Sequence, residues 1–149
     1  MISERRREFL LDAGTDRIKH SGRSLYDHLC GTYDLLFAWG CPEATCLGGL
    51  FHSIYGTNRF THRTLQLDAR DVVRKLAGPT AEELAYLFGT SARPRAFFLT
   101  PDSDMLRALR EIEAANLIEQ GSSSKWLQRI ADSRVGAPVR HAVLDYLKR

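Results

Sequence analysis

Two histidines, His28 and His52, stand among apolar residues in the stretch DHLCGTYDLLFAWGCPEATCLGGLFHSIYG. Imidazole is the side chain best suited to metal ligation or to proton transfer near neutral pH. His28 is followed by Leu29, Tyr33, Leu36 and Phe37 on one helical face, and His52 follows Leu47, Leu50 and Phe51. A lone buried histidine is most often a core residue bonded to a backbone carbonyl. Burial costs free energy unless both ring nitrogens find partners, so two imidazoles at matched depths point to a shared metal, a shared water or an acid–base role.

Such a pair needs elements that bring it together. Apolar positions recur at helical spacing along most of the chain, and no segment alternates long enough for a strand, so the pattern predicts an all-α single domain. Helices are expected over 3–19, 24–39, 43–55, 62–76, 80–88, 102–120, 123–132 and 137–148. Ser24 is placed to cap the second, Gly40 ends it, and Pro42 prevents simple continuation. The second and third helices should therefore pack antiparallel, with His28 and His52 face to face. Thr80-x-x-Glu83 reads as a capping box, and Thr100-Pro101 as the start of the long sixth helix. GTSARPR, residues 89–95, is the expected mobile loop. Trp39, Phe37, Phe51, Phe97 and Phe98 are expected in the core, and His62 and His141 on the surface.

Composition narrows the function classes. The 149 residues are 44% hydrophobic and 26% charged, a globular balance that excludes a disordered chain. No stretch reaches the roughly 18 apolar residues of a membrane span, and MISERRREFLLDAG is too charged for a signal peptide, so a cytoplasmic protein is expected. Cys30, Cys41 and Cys46 make an odd count without CxxC spacing, which predicts reduced, mostly buried thiols. A net charge of +3 with scattered arginines argues against nucleic acid as the main partner. The phosphate loop GxxxxGK[ST] and the zinc motif HExxH are absent, and HSGRS lacks the strand–turn–helix setting of a nucleophile elbow.

A longer pattern surrounds the histidines. SGRSLYDH ends at His28, 23 residues separate it from His52, and LGGLFHS is followed much later by IEAANLIEQ at 112–120. This order resembles the HD-domain superfamily of metal-dependent phosphohydrolases, specifically the hydrolase domain of the guanosine tetraphosphate enzymes. There a Ser-Gly, a first histidine, 23 residues and a His-Asp dyad in an AALLHD helix precede a last aspartate in a segment like IKLADRLHN. The resemblance covers residues 17–57 and, more loosely, 105–120. It implies an HD-like helical bundle in which His28, His52 and Asn116 converge.

The departures bear on mechanism. Ser53 replaces the dyad aspartate, Asn116 replaces the last one, and the acidic pair after the dyad is missing, with Tyr55 and Gly56 nearby. LFHSIYGT resembles the corresponding segment of a separate branch of HD-like proteins. A second metal is disfavoured without the bridging aspartate. Two imidazoles and the Asn116 amide oxygen remain for one transition metal among iron, zinc, copper and nickel, with His20, Glu113 and Glu119 as candidate further donors.

The expectation is a small enzyme acting on a small polar metabolite by hydrolysis or iron-dependent oxidation. His28, His52, Ser53, Asn116 and Tyr55 are its candidate catalytic residues. Lys19, Arg23, Tyr33 and Arg59 are candidate contacts to an anionic small-molecule ligand. Two alternatives stand beside it: a metal-free acid–base lyase, isomerase or cyclase using the same histidines, and a ligand-binding pseudo-hydrolase. Nothing in the sequence specifies an oligomeric state.

Overall fold

Short polar caps define where the helices begin. In a computed structural model of the chain, which describes residues 1–56 and 70–149, Ser3 Oγ accepts from the Arg6 amide and opens α1 (Glu4–Asp12). Ser24 Oγ accepts from the Asp27 amide at 3.0 Å and opens α2 (Leu25–Ala38), as its position in the sequence predicts. Ser103 Oγ does the same for α6 (Asp104–Glu119), accepting from Leu106. Between them lie α3 (Glu43–Leu50), α4 (Arg70–Ala77) and α5 (Pro79–Thr90), and α7 (Trp126–Asp132) and α8 (Ala137–Leu147) complete the set. The described residues are mostly helical, and the fold is all-α.

Several expected boundaries move. The first helix stops at Asp12, because Gly14 adopts φ +83° and a 3-10 turn follows at Thr15–Arg17. The chain then makes a hairpin of two short strands, β1 (Lys19–His20) and β2 (Arg23–Ser24), paired antiparallel with His20 opposite Arg23. Its loop is Ser21-Gly22, both at positive φ, the conformation a two-residue hairpin requires. The third helix ends at Leu50, so His52 and Ser53 sit in the turn beyond it. Neither later start is the predicted one. Gly78 precedes α5 without a side-chain cap, so the Thr80–Glu83 capping box is not formed, and Pro101 lies ahead of the α6 cap. Arg59, His62 and the first part of the helix expected over 62–76 lie outside the described residues.

The core gathers where α2, α3, α5 and α6 meet, with Leu29, Leu36, Leu50, Phe51, Phe88 and Ile112 fully buried. A smaller apolar cluster joins α6 to α7 and α8. Phe51 and Phe97 are buried as expected, whereas Phe37 is 59% exposed, on the outer side of α2. Close approach of α3 to α2 depends on Gly49, where a Cβ would fall 2.4 Å from Leu36 Cδ1. The opposed pairs Gly49 with Thr32 and His52 with His28 run in antiparallel order, as the Gly40–Pro42 turn predicts.

At Gly89 a Cβ would lie 2.4 Å from the Gly56 carbonyl oxygen, a backbone atom that cannot swing aside. Overpacking of this kind costs about 1–3 kcal/mol. Gly89→Ala is therefore expected to lower stability by that amount in urea unfolding; an unchanged midpoint would mean that α5 does not press on the turn after His52.

Candidate functional site

Three neighbouring elements deliver one polar cluster into the core. His28 comes from the second turn of α2, His52 from the turn after α3, and Asn116 from the last turns of α6. The two imidazoles meet edge to face with centroids 5.2 Å apart, and both are 1% exposed. Asn116 Oδ1 lies 2.8 Å from His28 Nε2 and 3.2 Å from His52 Nε2. Both ring nitrogens thus point at the same oxygen.

The opposite nitrogens are fixed by acceptors. His52 Nδ1 donates to the Gly49 carbonyl at 2.6 Å, an i−3 contact supplied by the end of α3. His28 Nδ1 donates to Glu119 Oε1, also at 2.6 Å. Burial, then the neighbouring His28, pushes His52 well below the ordinary imidazole value and keeps it neutral. A neutral imidazole has one N–H. His52 therefore gives its proton to Gly49 and turns a bare lone pair toward the Asn116 oxygen, itself only an acceptor.

Two carboxylates stand one layer out, each against an arginine. Glu113 is 1% exposed and accepts from Asn116 Nδ2 at 2.9 Å through Oε1 and from Arg93 Nη1 at 2.8 Å through Oε2. Glu119 accepts from His28 and pairs with Arg23 of the hairpin. Burial raises the Glu119 carboxyl, and the hydrogen bonds from His28 and Arg23 more than reverse that, leaving it below the usual carboxylate value. The His20 ring lies against that of His28, with centroids 4.2 Å apart and planes tilted by 33°, and shares a contact of 3.3 Å with Gln120 Oε1. Burial, then His28, lowers its pKa.

Other candidate residues divide by place. Ser53 is buried, and among the described residues its Oγ has no hydrogen-bond partner. Tyr55 does not turn to the imidazoles: its hydroxyl donates to Glu82 at 2.9 Å. Tyr33 accepts from the Met1 nitrogen and stacks on Phe37, away from the histidines, because Gly40–Pro42 directs its end of α2 toward the start of α3. Lys19 is exposed on the hairpin, beside His20. Cys30 and Cys41 are half-buried and Cys46 buried, all free, with burial raising the last two to about 12 and about 11.

The donor set discriminates between cations. Glu113 and Glu119 direct their carboxylates to arginine, amide and imidazole rather than to the meeting point of the Nε2 atoms. Among the described residues no group of three or more His, Cys, Asp or Glu side chains is placed to hold a metal. What converges is two imidazole nitrogens and an amide oxygen, which suits iron, zinc, copper or nickel and not oxygen-seeking magnesium or calcium.

Arg93 is not among the residues that the sequence singles out. It lies in the loop expected to be mobile, yet its side chain is 4% exposed and its guanidinium covers the Phe88 ring at 4.5 Å. No local pattern marks an arginine that turns inward; the spacing of Glu113 from Asn116 was the nearest available signal.

Comparison with curated proteins and with solved structures finds no match. Among the described residues no helix is long and apolar enough to cross a membrane. The model of one family, described as a domain of unknown function, DUF6817, matches residues 9–93, a span that holds His28, His52, Ser53 and Arg93 but not the α6 residues. Because that match covers more than half of the chain, the protein belongs to the DUF6817 family.

Proposed function

We infer that this protein is a small HD-like, cytoplasmic enzyme whose centre, His28, His52 and Asn116, holds one transition metal and acts on a small polar metabolite. One observation carries the reading: both imidazoles have Nδ1 fixed by an acceptor and Nε2 aimed at a common point. A carboxylate or carbonyl behind Nδ1 is how proteins orient metal-ligating histidines. The HD-like assignment rests on the order of the two histidines and Asn116 along the chain, joined by their convergence.

Each residue has a task in this scheme. Glu119 and the Gly49 carbonyl set the ring orientations of His28 and His52, and burial keeps water from competing for their lone pairs. Ser53, whose hydroxyl has no hydrogen-bond partner among the described residues, is the candidate further contact for substrate or metal. Arg23, 47% exposed beside Glu119, and the exposed Lys19 favour an anionic substrate. The metal would supply Lewis acidity for hydrolysis, or redox chemistry if it is iron.

A second reading has its own observation. The 2.6 Å His28–Glu119 contact is a carboxylate–imidazole dyad, the unit that orients a general base, and it supports metal-free proton transfer for a lyase, isomerase or cyclase. Elemental analysis of protein purified without an affinity tag or chelator separates the two. Near-stoichiometric iron, zinc, copper or nickel is expected. Protein that retains none of these, and takes up none when each is added, would sink the metal reading and leave the dyad.

A further inference from the structure

Asparagine has two faces, an oxygen that accepts and an NH2 that donates, and their placement decides what a site can hold. At Asn116 the choice is made from behind. Glu113 Oε1 is a carboxylate oxygen, which can only accept, and it lies 2.9 Å from the Asn116 nitrogen. The NH2 must therefore face Glu113, and the oxygen must face the imidazoles at 2.8 and 3.2 Å. Glu113 is in turn held through its other oxygen by Arg93 at 2.8 Å, with both side chains nearly excluded from solvent. Phe88 closes the arrangement, lying under the Arg93 guanidinium and edge-on to His52 at 4.9 Å.

We propose that the buried Arg93–Glu113 pair is a positioning device that fixes the Asn116 amide with its oxygen inward, making the His28–His52 centre selective for a cation. It rests on the metal reading only for its purpose. The orientation itself follows from hydrogen-bond chemistry at Glu113. With the amide reversed, an NH2 would point at the lone pair of His52 and the centre would hold a hydrogen-bonding group in place of a cation. Glu113, a candidate ligand by sequence, thereby acts through Asn116 instead of on the metal.

The test has two readouts. In the metal-free protein, nuclear Overhauser contacts of the Asn116 side-chain amide protons should reach Glu113 and not the imidazole ring protons. In Glu113→Gln, whose new amide can also donate, contacts to the rings should appear, and zinc affinity measured by chelator competition should fall about 10- to 100-fold, the usual effect of losing an outer partner. A carboxylate has no wrong face, so in an Asn116→Asp background the same Glu113→Gln change should cause none of that loss.

Amide protons on the rings in the native protein, or an equal fall in zinc affinity in both backgrounds, would overturn the proposal. If Glu113→Gln fails to fold because it strands the Arg93 charge, Arg93→Met combined with Glu113→Gln removes both charges together and carries the same readouts. Should the native protein bind no zinc while its amide contacts are as stated, the orientation stands and the metal reading falls.

Discussion

His28→Ala and His52→Ala are each expected to reduce retained metal from near-stoichiometric to background, the largest functional effect of any single substitution here. Each change removes one of the two imidazoles that, among the described residues, converge on a centre whose remaining donor is a neutral amide oxygen. With no carboxylate directed at that point among the described residues, one imidazole and an amide are too weak a set for a transition metal. Elemental analysis reads the outcome, with urea unfolding alongside to show that the helices remain. A His52→Ala protein that keeps its full metal content places the metal elsewhere. Turnover separates enzyme from binding domain: in an enzyme both variants lose it, whereas in a pseudo-hydrolase they weaken ligand binding.

A large loss of stability is expected at Glu82, a carboxylate of α5 with 1% of its side chain exposed. It accepts from Arg70 at 2.8 and 2.9 Å, from the Tyr55 hydroxyl at 2.9 Å and from Arg74 at 3.3 Å. Removing one partner of a buried ion pair costs about 3–5 kcal/mol. Arg70 and Arg74 are 26% and 43% exposed and can turn to water, so Glu82→Ala should fall at the low end, about 3 kcal/mol in urea unfolding. A loss under about 1 kcal/mol would show that the network contributes little beyond its surface arginines.

The same carboxylate gives the stability a direction with pH. Burial raises the Glu82 carboxyl, but hydrogen bonds from Arg70 and Tyr55 outweigh it and hold the folded value below the ordinary 4.5. A carboxyl depressed by folding binds its proton more tightly in the unfolded chain. Its contribution is therefore complete above the unfolded value and is lost as pH falls through the folded one. The stability gap between the native protein and Glu82→Ala should shrink from about pH 5 downward, with Glu119, also depressed, adding to the acid loss.

Local chemistry made much of this readable in advance. Helical spacing of Leu29, Leu36, Leu47 and Leu50 predicted α2 and α3, and Ser24 caps where a serine before an apolar run should. The turn at Gly40–Pro42 predicted that His28 and His52 would meet. The hairpin at Lys19–Ser24 has only two residues per strand, too few to show an alternating pattern, although Ser21-Gly22 carries a hairpin-turn signal. Closeness to His52 in sequence places Tyr55 near the site, but Glu82, 27 residues on, takes its hydroxyl instead.

What the sequence by itself determined is the all-α class, the antiparallel helix pair and the meeting of its two histidines, because periodicity, caps and a short turn act over a few residues. What only the tertiary structure decided is the polar setting of that pair: Gly49 behind His52, Glu119 behind His28, and Arg93 behind Glu113 and Asn116. Glu119 lies 91 residues from His28 and Arg93 lies 20 from Glu113, while the two three-residue contacts, Gly49–His52 and Glu113–Asn116, depend on where α3 ends and on which way Asn116 faces. A hydrogen bond has no sequence period, so which oxygen faces which nitrogen is fixed only when helices pack and every buried donor must find its acceptor.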